Sequence, residues 1–314
     1  HNTIMDEYKE CNIIYQNLHN PSNKYINHDN LKDIFQKANI LEKFSENKIN
    51  IYNFRLESFQ KAFTHISYTD KRHKKQGKNV VETECDNVNI NMCVPIQNVS
   101  GETLEWLGDS IIQSVVAIYL WKRCPGQDEG FYTKTRSKLV KTITLGKFGE
   151  YLGFDSLLLI SKHLEEYNNG RKNPKHLEDC FEAFVGALYN ETEKHFKYEL
   201  VTEFIINIIE KVIDLPMLIL YDDNFKDQLM RYYQKMFNGK FPTYTEIKVE
   251  EIPQGDGENV PKKKIFTIAV NDVHGDELVQ GTAKSKKEAQ QTAAKEACRI
   301  YGLPITDNVD YFLT

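Results

Sequence analysis

The chain has no CxxC pair: its six cysteines (Cys11, Cys85, Cys93, Cys124, Cys180, Cys298) are scattered, with no histidine at metal-ligand spacing. That pattern argues against a zinc site and against a dense disulfide framework, and it suits a reducing compartment. No apolar run reaches the ~20 residues that a bilayer-spanning helix needs. The longest, IIQSVVAIYLW at 111–121, is also interrupted by Gln113 and Ser114. The first residues, HNTIMDEYKE, lack the basic start and apolar core of a secretory leader. No membrane partner and an intracellular location, cytoplasmic or nuclear, are therefore expected. Only 16 glycines and 9 prolines occur in 314 residues, which excludes collagen-like and low-complexity classes. An excess of positive charge is missing too: 40 Lys+Arg against 45 Asp+Glu leave a net charge of −5. A uniformly basic nucleic-acid glove is excluded, while a local basic face stays open.

What is present is a globular composition, 40% hydrophobic, with a length that suits two domains. In HDNLKDIFQKANI at 28–40, Leu31, Ile34, Phe35 and Ala38 recur at helical spacing. From Thr69 to Ser100 that period is lost. The basic stretch DKRHKKQGK at 70–78 and an Asn-rich, β-branched segment read as a long inserted loop with room for a short hairpin. From Gly101 to about Leu220 nearly every segment has a 3.6-residue apolar period, which predicts an all-helical domain. After Tyr221 the order becomes helix, three alternating strand-like runs and an alanine-rich helix, or α-β-β-β-α. The expected division is an N-terminal helical extension over 1–50, a catalytic domain over 51–215 with the insertion 69–100, a linker over 216–223, the α-β-β-β-α domain over 224–303 and a tail over 304–314. The fold class is α+β multidomain.

Two acidic clusters stand out. In ETLEWLGDS at 102–110, Glu102, Glu105 and Asp109 share one helical stripe while Leu104, Leu107 and Ile111 share another. In EDCFEAFVGALY at 178–189, Asp179 and Glu182 interrupt an otherwise apolar helix. A buried unpaired carboxylate must be protonated or compensated. Hard oxygen donors suit Mg²⁺ or Mn²⁺, and paired metals serve phosphodiester hydrolysis. Spacing alone leaves a second reading open, a solvated acidic face paired with Lys or Arg.

These residues also carry a family resemblance. ETLEWLGDS resembles the signature of ribonuclease III: an acid, two residues, Glu, an aromatic, then Leu-Gly-Asp-Ser. Four more blocks follow the family's order: KAFTHISY at 61–68, DEGFYTKTRSKLV at 128–140, PKHLEDCFEAFVGALY at 174–189 and the C-terminal module. The resemblance spans about 61–302; a eukaryotic or large-DNA-virus branch is left open, and a viral member would work in the host cytoplasm or virus factory. It implies an all-α endonuclease domain followed by a double-stranded-RNA-binding domain. It further implies that Glu105, Asp109, Asp179 and Glu182 form a Mg²⁺ centre in which Mn²⁺ can substitute, with no small-molecule cofactor. Glu102 and Glu129 match secondary acids of the family, each with a structural alternative as a helix-start or loop acid. Lys175 matches a lysine of the eukaryotic and Dicer-like branch that faces the scissile phosphate; a solvated lysine is the other reading.

Trp106 stands where the family has an aromatic that inserts into a partner subunit, which implies a homodimer; a core aromatic is the alternative. An isologous two-fold pairing would supply one centre per strand. The implied activity is hydrolysis of both strands of double-stranded RNA to 5′-phosphate and 3′-hydroxyl ends with short 3′ overhangs.

The C-terminal resemblance is strongest in GTAKSKKEAQQTAAKEAC at 281–298. Lys284, Lys286 and Lys287 crowd a helix start, where backbone N–H groups also favour phosphate, and Ala289, Ala293, Ala294 and Ala297 form a face for packing. Lys262 and Arg231 complete the expected RNA contacts, although Lys262 replaces a frequent histidine and Met230–Arg231 replace a frequent Gln-Glu. Two rivals remain at this stage: a non-catalytic duplex binder that sequesters RNA, and a processing enzyme specific for one hairpin.

Overall fold

The computed structural model describes residues 13–16, 18–69, 79–82, 90–193, 195–221, 224–253, 262–303, 305 and 311–313. The basic stretch 70–78 lies outside them. The chain divides into two compact units, one from His1 to Leu218 joined by Tyr311–Thr314, the other from Ile219 to Asp310.

Among its described residues the first unit is helical apart from one short strand pair and isolated bridges. Its elements are β1 (Ile13–Gln16), α1 (His28–Lys37), α2 (Leu41–Glu46), α3 (Leu56–Ala62), β2 (Asn79–Glu82), α4 (Glu102–Arg123), α5 (Glu129–Leu139), α6 (Thr142–Leu152), α7 (Lys162–Asn168), α8 (Pro174–Glu191), α9 (Lys197–Val212) and α10 (Leu215–Leu220). Local chemistry sets the helix starts. Asn27 caps α1 in a capping box and Asp128 caps α5 by accepting from Phe131 N at 2.7 Å. Asn173 caps α8 by accepting from Lys175 N at 3.0 Å, with Pro174 in the first turn, where its missing N–H costs no hydrogen bond.

The core is aromatic. Phe35, Phe59, Phe63, Phe154, Phe181, Phe184 and Phe204 are fully buried, and Phe184 sits at its centre, with ring centroids 5.1–6.1 Å from Phe35, Phe59, Phe63, Phe154 and Phe204. Each such burial contributes about 1.5–3 kcal/mol. Residues 18–50 belong to this core: Leu31, Ile34 and Phe35 of α1 pack inside it, and Asn20 and Asn23 both donate to the Ile160 carbonyl.

Within the expected 69–100 loop, the structure differs from a local hairpin. Residues 79–82 pair in parallel with residues 13–16, and a parallel pairing cannot be closed by a tight turn. The chain's end was expected only as a tail. It forms an antiparallel bridge between Ile213 and Phe312, with Asp214 N donating to Tyr311 O and Leu313 N to Val212 O, both at 2.8 Å. Tyr311 is buried there, and the Lys141 and Lys147 ammonium groups lie over the Tyr311 and Phe312 rings.

The second unit is α11 (Phe225–Met236), the antiparallel sheet β3 (Thr243–Pro253), β4 (Lys262–Asn271) and β5 (Glu277–Ala283), and α12 (Lys286–Ile300). Both helices pack on one face of the sheet through Phe225, Leu229, Tyr233, Val270, Ala293, Ala294, Ala297 and Cys298. This is the expected α-β-β-β-α order. Among the described residues no helix is long and apolar enough to cross a membrane, and Cys93, Cys124, Cys180 and Cys298 are free thiols.

Candidate functional site

The site lies where α4 crosses α8. The crossing is closer than side chains would permit: a Cβ on Gly108 would stand 1.8 Å from the Glu182 carbonyl oxygen, and one on Gly186 would stand 2.2 Å from that of Leu104. Glycine at both positions lets the two backbones touch. The apolar stripe of α4 (Ile111, Ile112, Val115, Val116) and that of α8 (Phe181, Phe184, Val185, Leu188) turn inward. One turn away, the acids of both helices meet.

Carboxylate oxygens of Glu105, Asp179 and Glu182 come within 4.8 Å of one another. Glu182 is buried and the other two are half-buried. Burial, and then the charge of Asp179, push the Glu105 pKa up to about 7. Burial, and then Asp109, push that of Glu182 up to about 8. Asp109 is thus an electrostatic neighbour of Glu182 although it stands outside the three-acid group, and it accepts a hydrogen bond from Gln113 Nε2 at 3.2 Å. A recess of about 170 Å³ opens beside the acids, lined by Thr64, His65, Ser100, Glu102, His176 and Asp179 among others. The imidazoles of His65 and His176 are 4.5 Å apart there.

The donor set fits a hard divalent cation. All three grouped ligands are carboxylates, burial and then the neighbouring acids raise the pKa of Glu105 and Glu182 to about 7 and about 8, and Asp179 Oδ1 is shut off from solvent with, among the described residues, only the Lys175 ammonium facing it. Lys175 Nζ lies 2.6 Å from Asp179 Oδ1 and 2.9 Å from Glu178 Oε2. Burial opposes the Lys175 charge, but the pairing with Asp179 and Glu178 outweighs it and raises the lysine pKa above its usual value.

Of the other acids expected here, Glu102 lines the recess and accepts from Ser100 Oγ at 3.0 Å. Glu129, at the start of α5, accepts from Thr133 Oγ1 at 2.7 Å and stands outside the three-acid group. Trp106 is 75% exposed, so within its own chain it is no core residue. Glu178 was not singled out from the sequence, because neighbours in a helix point about 100° apart.

In the second unit, Ser285 caps α12 by accepting from Glu288 N at 3.2 Å, which places Lys284, Lys286 and Lys287 around that helix start. Lys286 Nζ pairs with Glu246 Oε2 at 2.7 Å and lies 5.9 Å from the Phe266 ring centroid. The neighbouring Lys284 holds the Lys263 pKa below its usual value, the signature of two ammonium groups brought together. Arg231, on α11, pairs with Asp227 at 3.2 Å, and Lys262 opens β4 opposite Pro253.

Comparison with known proteins agrees with this anatomy. The Ribonuclease III domain family matches residues 102–193, and the dsRNA binding domain family matches residues 243–303. A "Ribonuclease 3" of Bacillus cereus is 34% identical over 238 residues, 76% of this chain and 82% of that protein. One of Bacillus velezensis is 30% identical over 274 residues, 86% and 94% of the two chains. Among solved structures, the nuclease domain of ribonuclease III from Campylobacter jejuni aligns at 23% identity over 58% of this chain and 96% of that one, with a TM-score of 0.40. On these sequence relatives, which are 30% or more identical over 76% and 86% of its length, the chain belongs to the ribonuclease III family.

Proposed function

We propose that this chain, as a homodimer, hydrolyses both strands of double-stranded RNA, leaving 5′-phosphate and 3′-hydroxyl ends with short 3′ overhangs. The observation that carries the reading is the convergence of Glu105, Asp179 and Glu182 at the α4–α8 crossing, in a chain that also holds a duplex-binding module. Glu105, Asp109, Asp179 and Glu182 would hold Mg²⁺, with Mn²⁺ able to substitute. When bound, the cation supplies Lewis acidity toward the phosphate and acidifies water.

The chain's own groups have distinct tasks. Glu105 and Glu182 hold protons near neutrality in the metal-free site and give them up when a cation binds. Asp109 lies close enough to Glu182 to add to the negative field. Lys175 brings a cationic group to the edge of the acids, where a phosphate oxygen can be met. Glu102 and Glu129 would order the site's surroundings. Lys284, Lys286, Lys287, Lys262 and Arg231 would contact the duplex backbone, with Lys263 beside Lys284 adding to that field. Exposed Trp106, one residue after Glu105, would anchor the partner subunit.

The test is incubation of the protein with a long end-labelled RNA duplex in Mg²⁺, in Ca²⁺ and in chelator, with the product ends mapped. Staggered cuts with 5′-phosphates in Mg²⁺ alone are expected. Binding without cleavage in both Mg²⁺ and Mn²⁺ would sink the reading in favour of a duplex-sequestering protein.

A further inference from the structure

The second turn of α8 contains a charged group that the metal-centre reading leaves without a task. Glu178 is 7% exposed, stands outside the three-acid group, and has its Oε2 shut off from solvent with, among the described residues, only the Lys175 ammonium facing it, at 2.9 Å. A carboxylate so placed destabilises the fold unless it is paired, and its partner here is a lysine whose other contact is a member of that group. We propose that Glu178 is the positioning residue for Lys175, keeping the ammonium at the site after Asp179 has turned to a divalent cation. The inference rests on the reading of the acids as a metal centre with Lys175 beside the phosphate.

The physical reason is competition for Asp179. Without a cation, the ammonium is shared between Asp179 and Glu178. If Glu105, Asp179 and Glu182 held a divalent cation, the Asp179 charge would be taken up and the ammonium would be repelled. The Lys175 side chain is 56% exposed, and its flexible four-carbon stem lets a strongly hydrated head swing into water. Glu178 stays available to the lysine because it is not one of the grouped ligands.

The backbone is prepared for this pairing. Lys175 and Glu178 are an i, i+3 pair, adjacent on the helix surface. Their turn is pinned by Pro174 and by the Asn173 cap on Lys175 N itself. The alternative is that Glu178 merely complements the positive end of the helix dipole. That role would affect stability and would not depend on Lys175.

The experiment compares wild type, Glu178→Gln, Lys175→Ala and the double variant as full-length protein. It measures kcat and KM on a long duplex in Mg²⁺, Mn²⁺ affinity by calorimetry, melting temperature, and the Lys175 ¹⁵Nζ resonance in Ca²⁺-loaded protein. Either single change should lower kcat, by up to roughly a hundredfold as loss of one electrostatic stabiliser does, with KM and Mn²⁺ affinity within about twofold of wild type. The double variant should be no slower than Lys175→Ala, because the two residues act as one unit. In Glu178→Gln the Lys175 resonance should collapse onto those of solvent-exposed lysines.

Unchanged kcat and an unmoved resonance in Glu178→Gln, with Lys175→Ala impaired, would overturn the positioning role and leave the metal centre standing. Loss of Mn²⁺ affinity in Glu178→Gln would overturn it by making Glu178 a ligand. Unchanged kcat in Lys175→Ala would overturn it together with the reading of Lys175 on which it rests.

Discussion

Gly108 of α4 rests against the backbone of Glu182 in α8 so closely that a Cβ would stand 1.8 Å from the Glu182 carbonyl oxygen. That contact joins the two acid-bearing helices, and the stability of the crossing is therefore tied to the geometry of the site. Gly108→Ala forces the helices apart, because the atoms its Cβ would meet are backbone and cannot swing aside. Overpacking of this kind costs about 1–3 kcal/mol, or a melting temperature lower by roughly 2–4 °C per kcal/mol in a unit of this size. Thermal melts and Mn²⁺ calorimetry should both show a loss. Wild-type values in both would mean that the carboxylate spacing is independent of the crossing.

The site should titrate near neutrality. Glu105 and Glu182 have pKa values of about 7 and about 8 against an ordinary 4.5. Because the folded values are raised, the stability these groups contribute in metal-free protein is full below about 4.5 and is lost as pH rises through 7 to 8. Cation binding displaces the same protons, so Mn²⁺ affinity should climb between about pH 6 and about pH 8. Melting scans of metal-free wild type and Glu182→Gln should show a shallower fall with pH in the variant. A flat Mn²⁺ affinity over that range would contradict the assignment.

Much of this architecture is legible in the sequence, for identifiable reasons. The α4 and α8 stripes and the alternating strands of the second unit are local periodic patterns, and local patterns survive folding. Two glycines in LGDS and FVGAL are visible as letters, but that each admits the other helix's backbone is a property of the packed pair. The parallel pairing of residues 13–16 with 79–82 joins segments far apart in the chain and follows from no local rule. Tyr311 and Phe312 form too short a run to show a period, and the burial of Tyr311 became visible only with the bridge between Ile213 and Phe312. The exposure of Trp106 settles against a place in its own core, a choice that helical spacing left open.

The exposed indole bears on assembly. Trp106→Arg should give a folded monomer that fails to cut both strands, because a charged side chain in a desolvated two-fold contact is strongly disfavoured. Sedimentation velocity reads this directly. A dimer persisting in the variant would remove Trp106 from the interface.

The basic face of the second unit should set the salt dependence of binding. Lys286 is held toward the sheet by Glu246, and Lys287 lies beside it at the start of α12. Replacing both by alanine should lower the slope of log K against log salt by roughly 2, about one per phosphate contact removed. A slope equal to wild type would place the duplex on another face.

If the acids gathered at the α4–α8 crossing form the catalytic metal centre, Glu182→Gln should disable it. Mn²⁺ calorimetry and cleavage of a labelled duplex in Mg²⁺ should be measured on wild type and variant side by side, with duplex affinity in Ca²⁺ as the control. The variant should show weakened Mn²⁺ binding and a cleavage rate lower by roughly a hundredfold or more, with duplex affinity unchanged. Wild-type cleavage by Glu182→Gln would contradict the metal-centre reading.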